Sequence, residues 1–241
     1  MIKAVIFDLD DTLISEKEYI RSGFKVVSDK IGSDFNLDAK YIYEAIYSEF
    51  EVDAKNVFNR TLDKLEIEYE IEYIKELINT YRNHMPNIKL YDDAKYIIEE
   101  LYSKGIRLGI ITDGYAITQR NKLNVLNIEK YFDHIIVTDE LGREYWKPHK
   151  KSYELMKLKL NSDYEEMIYV GDNISKDFVT ANKLGMHTVM INREDGVYSN
   201  LKFENEYKAK IEIKNLKEIT NLMDTLGEEF NEENIICNYS Y

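Results

Sequence analysis

The apolar positions of this chain fall into two rhythms. The first is a series of short, uninterrupted runs. Ala4-Val5-Ile6-Phe7 opens it and stops abruptly at Asp8-Leu9-Asp10-Asp11-Thr12. Arg107 to Thr112 (RLGIIT), His134 to Thr138 (HIIVT), Met167 to Val170 (MIYV) and Thr188 to Asn192 (TVMIN) repeat the pattern, and Lys210 to Ile213 is a sixth candidate. Short β-branched runs without alternation predict strands covered on both faces. The second rhythm is helical. Ala94 to Tyr102, Ile117 to Leu126, Ser152 to Lys159 and Ser175 to Leu184 separate the strands. Strand and helix in alternation predict an α/β fold, a Rossmann-like parallel sheet. Ligands of such sheets bind outside the carboxyl ends of the strands.

One long stretch breaks the alternation. From Glu16 to Asn87 the periodicity is helical throughout. Ile20, Phe24, Val27 and Ile31 form one stripe, Ile42, Ala45, Ile46 and Phe50 a second, and Ile71, Ile74, Ile78 and Tyr81 a third. The expected organisation is a core of residues 1–15 and 88–227, a helical-bundle cap of residues 16–87 inserted after the first strand, and an acidic tail of residues 228–241. Pro86 marks the return to the core.

Composition narrows the partners. The 241 residues are 44% hydrophobic and 32% charged, with a formal net charge of -13. No basic patch offsets that charge, which argues against a nucleic-acid polymer. An anionic ligand would need local positive charge from a metal, a lysine or helix N-termini. The single cysteine, Cys237, cannot form a disulfide within the chain, so a reducing compartment is expected. No apolar run has membrane-spanning length, and acidic residues follow the N-terminus too closely for a signal peptide. The expected location is therefore cytoplasmic, with no membrane partner. Monomer and homodimer are both open.

The candidate chemistry sits where the strands end. Asp8 and Asp10 follow the first strand, and Asp172 and Asp177 follow the fourth. Adjacent carboxylates repel unless they share a cation. Oxygen ligands of this kind suit a hard divalent ion, and Mg2+ suits phosphate chemistry. Asp11 reads instead as a turn or helix cap. At the end of the second strand, Thr112-Asp113-Gly114 offers a hydroxyl and backbone N–H groups for phosphate oxygens, with a glycine permitting close approach. Lys147-Pro148 supplies a positive charge that could offset charge building on a transferring group. His84, His134 and His187 lack the spacing of zinc ligands and read as structural.

These four segments, in this order, identify a resemblance. The chain resembles the haloacid dehalogenase-like hydrolase superfamily, in its phosphatase branch with a helical cap, over residues 1–226. The motifs are Asp8-Leu9-Asp10-Asp11-Thr12-Leu13, then Thr112, then Lys147-Pro148, then Gly171-Asp172-Asn173-Ile174-Ser175-Lys176-Asp177. The resemblance implies that Asp8 is the nucleophile and that Asp10 is the acid for the leaving alcohol, then the base for water. It implies that Mg2+ is held by the Asp8 side chain, the Asp10 backbone carbonyl and Asp172. Asp177 would support the metal and Lys147, and Asn173 would shape the metal loop. Thr112, the Asp113 backbone and Lys147 would bind the phosphoryl oxygens.

The chain departs from the pattern at Trp146, where a small or basic residue is common, and at His149-Lys150-Lys151, where a second proline often follows. Trp146 is expected to pack or to wall the site, and His149 to lie at the surface. The implied activity is hydrolysis of a phosphomonoester of a small metabolite: a sugar phosphate, phosphoglycolate or a nucleoside monophosphate. Alternatives are a phosphosugar mutase of the same fold and a non-catalytic phosphate- or metal-binding regulator. A dehalogenase would need neither Asp10 nor a magnesium cluster. Tyr19, Arg21, Phe24, Phe58 and Arg60 are the cap candidates to face the site.

Overall fold

A computed structural model describes residues 1–193 and 204–226. The expected acidic tail and Cys237 lie outside the described residues. The predicted strands form one parallel sheet of six: β1 (Ala4–Phe7), β2 (Arg107–Thr112), β3 (His134–Val137), β4 (Met167–Gly171), β5 (His187–Ile191) and β6 (Ile211–Ile213), in the order β3-β2-β1-β4-β5-β6. β1 is central. Its Val5 lies opposite Leu108 of β2 on one side and Ile168 of β4 on the other.

Alternation within each strand supplies two cores, because successive side chains leave opposite faces of the sheet. Val5, Phe7, Ile110 and Val170 pack with α5 (Asp92–Ser103) and with Leu216 and Ile219. Ala4, Ile6 and Tyr169 pack with α7 (Lys151–Leu160) and α8 (Phe178–Leu184). Another core helix, α6 (Ala116–Leu126), follows β2.

The inserted stretch forms α1 (Glu16–Phe35), α2 (Ala39–Val52), α3 (Val57–Lys64) and α4 (Ile71–Asn83), with an apolar cluster of its own. α1 begins where Asp11 Oδ1 accepts from the Glu16 N–H at 2.9 Å and the Ser15 hydroxyl accepts from Glu18. That is the capping role expected of Asp11, and it satisfies amides of the first turn. Entry and exit of the insert are tied together: Ile14 pairs with Leu90, and the Tyr91 N–H donates to the Leu13 carbonyl at 2.9 Å.

Two boundaries differ from expectation. Ile71 belongs to the expected α4 stripe but is 56% exposed; Ile74 and Leu77 carry the buried face. The helix expected from Ser175 starts only at Phe178. The preceding residues turn back on Asn173, whose carbonyl accepts from Lys176 and Asp177 and whose side chain accepts from Ser175. Among the described residues, no helix is long and apolar enough to cross a membrane.

Candidate active site

The sheet order reverses direction at β1, with β2 on one side and β4 on the other, and a crevice opens at the carboxyl ends of those strands. Asp8 leaves β1 there, Thr112 ends β2, and Asp172 follows β4. Lys147 comes from the segment before α7, with its side chain fully buried. Its Nζ donates to Asp8 Oδ1 and Asp177 Oδ1, each at 2.7 Å, to the Tyr169 hydroxyl at 3.1 Å and to the Ile111 carbonyl at 3.3 Å. One buried cation thus ties the ends of three strands to a residue 30 positions further on.

Asp8, Asp172 and Asp177 each bring a carboxylate oxygen within 4.8 Å of the others. Asp177 is already engaged at both oxygens, by Lys147 and Tyr169 at one and by the Asn173 N–H at 2.9 Å at the other. Its carboxylate orients the Asn173 loop and Lys147. A β-carbon on residue 171 would meet Asp177 Oδ2 at 2.5 Å, so this close approach requires Gly171.

The electrostatics follow from burial. Removal from water pushes the Asp8 carboxyl up to about 6; Asp177 adds to the rise and Lys147 opposes it. Desolvation, then Asp177 and Asp8, hold Asp172 well above the usual carboxylate range. Burial disfavours the charged form of Lys147, but Asp177 and Asp8 outweigh it and hold Lys147 well above the usual lysine value. A set of hard oxygen donors, short of positive charge and open on the Asp172 side, fits a small divalent cation.

The phosphate-binding candidates are also drawn together. Thr112 Oγ1 accepts from Gln119 Nε2 at 2.6 Å. The Asp113 side chain is engaged by the Thr138 hydroxyl, the Lys147 N–H and Lys176 Nζ. Burial raises the Asp113 carboxyl, but Lys147 and Lys176 outweigh it, so the carboxyl sits below its ordinary value. Gly114 adopts φ 135°, and a β-carbon there would approach the Gln119 side chain at 3.1 Å.

Asp10 does not join the carboxylate cluster through its side chain. It points into a neighbouring cleft, where Oδ1 accepts from Lys122 Nζ at 2.6 Å and Oδ2 from Gln119 Nε2 at 2.9 Å. Lys122 is buried, with Nζ 4.2 Å from the centre of the Tyr19 ring. Glu16, the first residue of α1, lines the same cleft; desolvation and the nearby Asp10 push it up to about 7.

Lys122, Gln119 and Glu16 were not candidates on sequence. The first two sit three residues apart on the helix after β2, a spacing that puts both on one face, but nothing local says that this face meets Asp10. Of the cap candidates, Tyr19, Phe24 and Phe58 line the cleft. Arg21 and Arg60 do not. Arg21 lines a separate depression with Lys25 and Lys40, and Arg60 is spent on Glu49 and on the Asp53 carbonyl at 2.6 Å. Trp146 packs edge-on against Tyr115, a cleft residue, and His149 is exposed.

Replacing Lys122 with methionine is expected to lower kcat/KM about 10- to 100-fold, part of the 10²- to 10⁴-fold that a general acid contributes. The loss should be larger for an alkyl phosphate than for p-nitrophenyl phosphate, whose leaving group needs little proton donation. Equal losses on both esters would mean that Lys122 does not serve Asp10.

Comparison with known proteins agrees with this geometry. Residues 5–191 match the family model described as haloacid dehalogenase-like hydrolase. The chain is 31% identical over 228 residues to the glyceraldehyde 3-phosphate phosphatase of Methanocaldococcus jannaschii, covering 90% of this chain and 99% of that one. The protein of the same name from Pyrococcus furiosus is 27% identical over 228 residues, covering 92% and 93%. Among solved structures, a HAD phosphatase from Thermococcus onnurineus aligns with a TM-score of 0.61 at 27% identity, over 92% of this chain and 98% of that chain.

Proposed function

The chain belongs to the haloacid dehalogenase-like hydrolases and is a phosphatase, and on that premise we propose that it hydrolyses monoesters of small phosphorylated metabolites through a phospho-aspartate on Asp8. The observation that carries this reading is Lys147 Nζ, held at 2.7 Å from both Asp8 and Asp177 beside Asp172.

Phosphate monoesters resist attack by anions because both partners are negative. Lys147 places a positive charge against Asp8 and the incoming phosphoryl oxygens. An Asp8 oxygen attacks phosphorus, the ester P–O bond breaks, and Asp10 donates a proton to the leaving alcohol. Asp10 then takes a proton from water as that water attacks the aspartyl phosphate, releasing inorganic phosphate and restoring Asp8. Thr112 and the backbone at Asp113 hold the phosphoryl oxygens. Asp8, the Asp10 carbonyl and Asp172 would hold Mg2+, which when bound supplies charge to offset the phosphate; Asp177 and Asn173 keep that loop in place. Residues 16–87 act as a cap over the cleft, excluding water during transfer.

The test is phosphate release from a panel of small phosphomonoesters, with and without magnesium. The panel includes glyceraldehyde 3-phosphate, the ester named in the relatives. Magnesium-dependent release supports the reading; folded protein that binds magnesium but releases no phosphate from any ester overturns it.

Magnesium should also stabilise the fold, by a pH-dependent amount. Asp8 has a folded pKa of about 6, above its ordinary 3.8, and Asp172 is raised as well. A raised carboxyl contributes stability that is present in full below the unfolded value and lost as pH rises through the folded value. The metal-free protein is therefore penalised at neutral pH, where the cluster is ionised, and that ionised form binds the cation. The rise in melting temperature on adding magnesium is expected to be larger near pH 7.5 than near pH 5. It corresponds to about 2.7 kcal/mol at a free concentration of roughly 100 Kd. Scanning calorimetry at both pH values checks it; an equal shift at both would mean that the ion binds elsewhere.

A further inference from the structure

The cleft beyond Asp10 is larger and more aromatic than a short-chain phosphate requires. Its volume is about 430 Å³, within the range of small-molecule sites. Its core end is polar, with Asp10, Gln119, Lys122 and Arg82. Its cap side, under α1, α2, α3 and α4, is lined by Phe24, Phe50, Phe58, Tyr81 and Ile78, with the amides of Asn56 and Asn59 among them. The rings meet edge to face: Phe24 and Phe50 centroids are 5.4 Å apart at 72°, and those of Phe58 and Tyr81 are 6.0 Å apart at 63°.

Among the described residues, the cations that line the cleft are Lys122 and Arg82. Lys122 is paired with Asp10 at 2.6 Å. Arg82 lies at the junction of α4 and α6, where the Thr118 hydroxyl donates to its carbonyl, and its guanidinium sits 3.7 Å from the Tyr115 ring centre. Arg60, on α3, is turned outward to Glu49 and the carbonyls beyond α2. A second phosphate or a carboxylate seated among Phe24, Phe50 and Phe58, away from Arg82 and Lys122, would give up hydration without a cation beside it, which is unfavourable. A flat uncharged ring there buries apolar surface and meets ring edges and faces.

Resting on the phosphatase reading above, we propose that this site selects a phosphomonoester of a primary alcohol whose organic part is an uncharged, ring-bearing group, and discriminates against bisphosphates and short polyol phosphates. The phosphate sits at Asp8 and Lys147, and the ring lies among Phe24, Phe50, Phe58 and Tyr81.

The test compares kcat/KM for benzyl phosphate, glycerol 3-phosphate and fructose 1,6-bisphosphate with magnesium. All three are alkyl esters, so leaving-group chemistry is nearly matched. Benzyl phosphate is expected to exceed each of the others by about 10-fold or more. Phe50→Ala should cut that ratio several-fold. Ile78→Lys, at a half-buried position that lines the cleft, should shift the ratio toward the bisphosphate and serves if Phe50→Ala does not fold. Turnover of glycerol 3-phosphate or the bisphosphate ahead of benzyl phosphate, or a ratio unmoved in both variants, overturns the inference and leaves the phosphatase reading standing. Folded protein that releases phosphate from none of the three and from no ester of a wider panel overturns both.

Discussion

Asparagine at position 8 should stop turnover: kcat is expected to fall on the order of 10⁴- to 10⁶-fold, the scale seen when a covalent nucleophile is removed. Asparagine preserves the shape of the side chain and can still accept a hydrogen bond from Lys147, but its amide cannot form the acyl phosphate. The protein should remain folded. Lys147 keeps its 2.7 Å contact with Asp177 and its bond to Tyr169, and a buried carboxylate whose pKa had been pushed up to about 6 is replaced by a neutral group. The metal-free variant is therefore expected to melt at or above the wild-type temperature near neutral pH, where the ionised carboxylate is the unfavourable partner. Two measurements decide the matter. Phosphate release gives the rate. Rapid acid quench with a radiolabelled ester should trap label on the wild-type protein and none on Asp8→Asn. Residual turnover within 10-fold of wild type would place the nucleophile elsewhere.

Lys147→Met should be the most damaging single change to stability. Among the described residues, the lysine is the cation that Asp8 and Asp177 both contact, and its side chain is fully buried. Removing it leaves two carboxylates in a desolvated site without a partner, a loss of about 3–5 kcal/mol. Urea unfolding near neutral pH measures it. The loss should shrink as pH falls toward 6: Lys147 lowers the Asp8 carboxyl in the wild type, so without it that carboxyl is held higher still and takes up its proton earlier as pH falls. A carboxyl with a raised folded pKa recovers its stability contribution on protonation, and a neutral carboxyl needs no cation. Lys147→Arg should not restore activity, because a planar guanidinium cannot replace a point charge with four acceptors around it in a closed site. The double variant Asp8→Asn with Lys147→Met should be less destabilised than the sum of the two single changes predicts, since the two groups share one network. Additive losses would show that the Asp8–Lys147 contact carries no energy.

The strand-ending residues were legible because their position follows from chain logic. An uninterrupted apolar run that stops at a carboxylate, threonine or Gly-Asp marks the carboxyl edge of a parallel strand, and every strand of such a sheet delivers its edge to the same side. Asp8, Thr112 and Asp172 could therefore be assigned to one crevice before any coordinates. Asp11 was legible too, since capping is a local exchange between a side chain and the next few amides. Helix α8 was misjudged at its start because the turn around Asn173 is not set by helix propensity; it is stabilised by Asp177 bonding back to the Asn173 amide.

The cleft was less legible. Helical stripes separate buried from exposed positions, and on that basis Tyr19, Phe24 and Phe58 were sound candidates, but Arg21 and Arg60 were not. Periodicity does not tell which neighbour a face meets, and Arg60 found Glu49 and the end of α2 instead. Ile71 shows the same limit within one helix.

By itself, then, the sequence determined the sheet, the inserted helices and the acidic and basic groups at the strand ends, because those depend on hydrophobic period and on local chain order. Only the tertiary structure decided how the charges pair. It set Lys122 against Asp10 across 112 residues of chain, set Lys147 between Asp8 and Asp177, and gathered the rings of Phe24, Phe50 and Phe58 on the cap side of the cleft. Those pairings depend on how helices dock on the sheet. Side-chain partners brought together from distant parts of a chain are chosen by packing and desolvation, and neither leaves a local signature in the order of residues.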